Sequence, residues 1–130
     1  MVIVSFGFEG EWLWEYWLQL YVKENAPRYG LQIIKWLSGR GGGGADFLVE
    51  FRDQKVKLEV EWIYLFYDHF DDPKYKDVKI IMCLDLLKPK GNEDLTRYPQ
   101  HFVYINTTDF INWYHKKTGK ESIPKIFQDA

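Results

Sequence analysis

The seven residues from Val78 to Leu84 read Val-Lys-Ile-Ile-Met-Cys-Leu, apolar at every position but one. A strand with one wet face alternates apolar and polar residues, so a run without alternation is covered on both faces. Such a run belongs in the interior of a sheet with layers on both sides, and helices are the expected cover. Two earlier segments do alternate. Phe47, Val49 and Phe51 point one way while Asp46, Leu48, Glu50 and Arg52 point the other. Val56, Leu58, Val60 and Trp62 share one face, and Lys57, Glu59 and Glu61 the opposite one. Arg52-Asp53-Gln54-Lys55 joins the two as a hairpin, without the Asn-Gly pair that specifies a two-residue turn.

The remaining elements follow from periodicity. Phe8 to Lys23 reads as a helix with one stripe of Leu13, Trp17, Leu20 and Tyr21 and a second of Phe8, Trp12 and Tyr16. Asn25-Ala26-Pro27 ends it. Leu31 to Leu37 is a first strand, and Ser38 to Gly44, with four consecutive glycines, is neither helix nor strand interior. Asp68 to Asp77 is a loop or a short irregular helix, and Lys88 to Gln100 a loop. His101 to Ile105 is a strand. Thr107 or Thr108 caps a helix to about Lys117, with Asp109 favourably placed in its first turn. Ile123 to Phe127 forms a short docking helix. The expected architecture is α/β, a mixed central β-sheet flanked by helices, with residues 1–130 forming a single domain.

Composition narrows the function classes. Aromatic residues reach 18%, and in a small domain large rings bury much area per residue, although some could serve a partner surface. The formal net charge of −2 is unlike that of a strong non-specific nucleic-acid binder. It sits more easily with an acidic site that a divalent ion neutralises. One cysteine, Cys83, allows no intramolecular disulfide and no Cys-rich zinc site, and His69, His101 and His115 match no common zinc spacing. The opening Met-Val-Ile-Val-Ser lacks the features of a secretory signal, and no apolar run approaches membrane-spanning length. The cytoplasm is the expected compartment.

The chemistry concentrates in Asp46 at a strand entry and in Lys57-Leu58-Glu59-Val60-Glu61 on the next strand. Alternation puts Glu59 and Glu61 on one face, and Asp46 can lie near them where the paired strands diverge. Converging carboxylates repel unless a cation sits between them, and oxygen ligands suit Mg²⁺ or Mn²⁺. Relief of that repulsion would let the fold tolerate loss of Asp46 or Glu59, or even gain from it. The same Lys-x-Glu-x-Glu alternation is also what a half-exposed strand shows to water.

Asp46 followed after twelve residues by Glu59-Val60-Glu61 resembles the PD-(D/E)XK phosphodiesterase superfamily, the fold of many restriction enzymes and Holliday-junction resolvases. Ala45 stands where the motif name has Pro, and Glu61 where it usually has Lys, an E-x-E version that occurs among restriction enzymes. Phe66-Tyr67-Asp68-His69 followed by Lys79-Ile80-Ile81-Met82-Cys83 is similar to predicted nucleases of this superfamily, which often carry Asp at the position of Lys79. The resemblance spans residues 44–83. It implies a restriction-endonuclease-like core and a metal-dependent endonuclease that hydrolyses DNA phosphodiester bonds. Asp46, Glu59 and the backbone carbonyl of Val60 would hold Mg²⁺ or Mn²⁺, and Glu61 would bind a second metal or accept a proton from the attacking water. Many members place a Glu on the first helix, here Glu9, with Glu11 as the alternative.

His69, Arg40 and Lys57 are candidate substrate contacts, and Lys55, Lys88 and Lys90 could also track a nucleic-acid backbone. The ordinary alternative for each is a surface position. The glycine run lacks the Lys-Ser/Thr of a P-loop. The expected partner is duplex or branched DNA, met by a homodimer because one small site cuts one strand. The competing readings are a nuclease-fold module that binds nucleic acid or a protein without cutting, and an unrelated α/β domain whose Glu59 and Glu61 face water.

Overall fold

The computed structural model describes residues 8–37, 45–61 and 71–119, with side chains of the first helix from Tyr16 onward. The glycine run and the expected docking helix Ile123–Phe127 lie outside the described residues. Helix α1 spans Phe8–Asn25, and strands β1 to β5 span Gln32–Trp36, Phe47–Phe51, Gln54–Val60, Val78–Leu84 and His101–Ile105. Helix α2 spans Thr107–Thr118. The five strands form one sheet in the order β1-β2-β3-β4-β5. The first three are an antiparallel meander; β4 runs parallel to β3, and β5 parallel to β4. The class is α/β with a mixed sheet, and β4 is an interior strand as its composition requires. Only Lys79 of β4 is exposed.

The β2–β3 hairpin pairs in the register that alternation predicts, Phe47 opposite Leu58 and Val49 opposite Val56. Its turn is tighter than expected. Phe51 pairs with Gln54, leaving only Arg52 and Asp53 between them, at φ 51° and 65°. Two successive left-handed residues make the type I′ geometry that matches strand twist.

One large cluster joins Leu18, Tyr21 and Val22 of α1 and Phe110 of α2 to Phe47, Val49, Leu58, Val60, Ile80, Met82 and Ile105 of the sheet. Both described helices therefore cover the same face. Among the described residues the second face carries Ala45, Val78, Ile81 and Cys83, packed against Tyr75, Tyr98 and Phe102 from connecting segments and β5. Among the described residues the rings sit mainly in the helix-covered core. Tyr21 meets Phe110 and Trp113 edge-on at 5.6 and 5.4 Å, and Trp36 stacks on Phe47 at 5.8 Å.

Two local expectations also shift. Of the expected stripe Tyr21 is among the innermost residues of α1, beside Leu18 and Val22, whereas Trp17 and Leu20 are half-buried and the Leu13 side chain lies outside the described residues. Helix α2 is capped by Asn106, whose Oδ1 accepts from the Asp109 N–H at 2.9 Å. The Thr107 hydroxyl is used elsewhere, donating to Asp85 Oδ1 at 2.6 Å. Among the described residues no helix is long and apolar enough to cross a membrane.

Candidate functional site

Asp46 precedes β2 and is fixed by its backbone and its side chain together. Its N–H donates to the Leu58 carbonyl at 3.0 Å, and its own carbonyl accepts from the Leu37 N–H at 2.7 Å. Its carboxylate Oδ2 accepts from the Val60 N–H at 2.8 Å. Here a side chain takes the place of a backbone carbonyl at the end of the β2–β3 ladder. The other oxygen, Oδ1, accepts from Gln19 Nε2 at 3.0 Å, and Gln19 Oε1 accepts from Trp36 Nε1 at 2.8 Å. The indole can only donate, so it fixes which end of the Gln19 amide faces Asp46.

The peptide that donates to Asp46 is the one linking Glu59 to Val60. Asp46 and Glu59 are thus neighbours at one end of the β2–β3 pair, 6% and 4% exposed. Glu59 lies between Leu58 and Val60 of the helix-covered cluster and pairs with Ile81 of the second face, so alternation turns it away from α1. The Asp46 carboxylate reaches Gln19 on α1. Strict alternation from Phe47 would point it the other way; the chain bends at Asp46 instead. The two carboxylates therefore meet the end of β3 from different sides.

Glu61 is half-buried, and its N–H donates to the Met82 carbonyl at 2.9 Å, continuing the β3–β4 ladder one residue further. Its carboxylate acts on Cys83: burial pushes the Cys83 thiol up to about 12, and the negative charges of Glu61 and Asp85 add to the rise. Lys57 lies two residues before Glu59, its Nζ 3.9 Å from Asp77 Oδ2. The side chains of Glu9 and Glu11, and all of Arg40 and His69, lie outside the described residues. Among the described residues no three His, Cys, Asp or Glu side chains form a group that could hold a metal ion.

Gln19 is the site residue that sequence reasoning missed. Its signal was available: a polar residue between Leu18 and Leu20 in an otherwise largely apolar stretch of helix. Nothing local, however, names its partner 27 positions away. Comparison of the chain with protein-family models, curated proteins and solved structures finds no match.

Proposed function

We propose that this chain is an endonuclease with a restriction-endonuclease-like core that hydrolyses DNA phosphodiester bonds with Mg²⁺ or Mn²⁺. The observation that carries the reading is the burial of two carboxylates, Asp46 and Glu59, at one and the same end of β3. Burying an ionised carboxylate is costly unless it is paired, hydrogen-bonded or coordinated. The motif residues stand in a run of one helix and three strands, α1-β1-β2-β3.

Oxygen donors of this kind suit a hard cation, which would have to draw the two carboxylates together from the different sides on which they stand. Mg²⁺ is usually held through one or two carboxylates, with water and substrate phosphate completing its shell, so Asp46 and Glu59 suffice as charged ligands beside the Val60 carbonyl. When bound, the ion polarises the scissile phosphate and lowers the pKa of a water. A carboxylate offers about four lone-pair sites. The hydrogen bonds from Val60 and Gln19 use two on Asp46, one at each oxygen, and fix its orientation. Glu61 takes the proton of the attacking water as its oxygen bonds to phosphorus; the bond to the leaving oxygen breaks, and that oxygen is protonated from solvent. Glu9, or Glu11, would face the site from the first helix, and Arg40, Lys57 and His69 would contact substrate. Cutting both strands of a duplex calls for a homodimer, acting in the cytoplasm.

A second reading, binding of nucleic acid or a protein partner without cutting, is favoured by the engagement of both Asp46 oxygens inside the protein. Nicking and cutting of duplex, junction and single-stranded DNA with Mg²⁺ or Mn²⁺ separates the two. Wild type is expected to cut, and Glu59→Gln and Asp46→Asn to lose cleavage while still folded by circular dichroism. Undiminished cleavage by both variants overturns the assignment. DNA binding by a wild type that cuts no substrate selects the second reading.

A further inference from the structure

The opposite end of β3 carries a different chemistry. A groove of about 660 Å³ opens beside the hairpin turn and the first residues of β4 and β5. Arg52, Lys55, Lys57 and Lys79 line it against a single carboxylate, Asp77, and His101 stands at its edge. Four cations gathered there, in a chain whose formal net charge is −2, concentrate positive potential on one surface. Among the described residues the only ion pair in the groove is the long one from Lys57 to Asp77, 3.9 Å.

Arg52 is the telling member. It holds a left-handed backbone at φ 51°, where Asn or Gly would sit with less strain. Its guanidinium lies over the Phe51 ring at 4.8 Å, and that ring meets His101 edge-on at 5.2 Å. A strained arginine propped on an aromatic floor presents a pre-positioned cation to the groove.

We infer that this groove, which runs from Lys57 toward the hairpin turn and away from the buried carboxylates, binds the phosphodiester backbone of a nucleic acid. The choice of nucleic acid over other polyanions rests on the reading of the Asp46–Glu59 site. Lys55 and Glu59 are four residues apart on one strand, about 13 Å at roughly 3.3 Å per residue. A nucleic-acid backbone passing the carboxylates can span that distance within a few phosphates. The groove supplies register and affinity without reading bases.

The test is fluorescence anisotropy of a labelled duplex of about 20 base pairs with the full chain in EDTA, which prevents cleavage, between about 50 and 200 mM salt. Each cation that neutralises a phosphate contributes about 0.9 to the slope of log affinity against log salt. Lys55→Gln with Lys79→Gln, both exposed, should lower the slope by about 1.8, and Arg52→Asn, which suits the turn, by about 0.9 without lowering Tm. Wild-type slopes in these variants overturn the inference, as does a wild type that binds no duplex at the lowest salt. Displacement of the duplex by poly-glutamate at equal charge concentration assigns the groove to an acidic protein and also overturns it. Lost slope with no cleavage by wild type keeps the groove and removes the nuclease. Cleavage with unchanged slopes does the reverse.

Discussion

At the scale of single residues, Asp46 decides how the site can be probed. Its two oxygens accept from Val60 N–H and Gln19 Nε2 in buried surroundings. An asparagine offers one acceptor oxygen where two donors point, so one donor is left unsatisfied, at about 1–3 kcal/mol. Relief of crowded charges, which the sequence led us to expect would leave the fold unharmed, is outweighed by that loss. Among the described residues no three carboxylates crowd together. Asp46→Asn is therefore expected to lower stability by about 1–3 kcal/mol. Gln19→Ala should cost a similar amount, because it strips the partner from Trp36 Nε1 and from Asp46 Oδ1. Urea titration of both variants checks this, and an unchanged midpoint in either would show that its hydrogen bond adds nothing to stability. Glu59→Gln is the cleaner catalytic probe, since it keeps shape while changing charge. Hairpin register brought Asp46 and Glu59 to the same strand end, but alternation put both carboxylates on one face, and the bend at Asp46 sends its side chain to the other. Gln19 was not legible, because its role exists only once α1 has packed on the sheet.

Among the elements, the hairpin shows how far local signals reach. The strands are specified by alternation, and their register by burial of Phe47, Val49 and Leu58. A one-residue slip would turn every one of those side chains to the wrong face. The turn follows from that register rather than from its own composition: Arg52 and Asp53 occupy left-handed conformations although neither is glycine. Strain of this kind costs on the order of 1 kcal/mol per residue, somewhat less for Asp. Asp53→Gly should consequently raise stability by about 0.5–1 kcal/mol, read as a higher urea midpoint with an unchanged m value. A lowered midpoint would mean that the Asp53 side chain, not the backbone, governs this turn. Strands β4 and β5 carry the bounds that periodicity assigned, because an apolar run closed by polar residues marks its own ends. Helix α1 was harder. Apolar residues ring most of its circumference, so the sequence marks no single buried face, and tertiary packing selects Leu18, Tyr21 and Val22. The cap of α2 was missed by one residue because Asn106, Thr107 and Thr108 all have capping side chains. Asp85 claims the Thr107 hydroxyl and leaves the cap to Asn106.

At the scale of the whole molecule, the described residues cover the two faces of the sheet differently, and on each of them a buried group resists losing its proton. On the helix-covered face Tyr21 is held well above the usual tyrosine range, first by burial and then by its 2.7 Å hydrogen bond with Tyr29. On the second face burial pushes the Cys83 thiol up to about 12, with Glu61 and Asp85 adding to the rise. In the unfolded chain these groups ionise near their ordinary values, about 8.5 for a thiol and 10 for a phenol. Above those values the unfolded state binds fewer protons than the folded state, so the stability of the fold falls as pH rises. Both contributions are fully present at neutral pH. The contribution of Cys83 starts to decline from about pH 9 and continues to about 12, and that of Tyr21 joins it above about pH 10. As far as these groups set it, Tm is accordingly expected to be flat between about pH 7 and 8 and to drop from about pH 9. Cys83→Ala should flatten the first part of that drop, and Tyr21→Phe the part above about pH 10, even though each lowers Tm at neutral pH by removing packing or a hydrogen bond. Because the two groups lie in different layers, a drop that both variants soften reports layers that unfold together. An alkaline drop of the same steepness in the double variant as in wild type would show that neither group drives it.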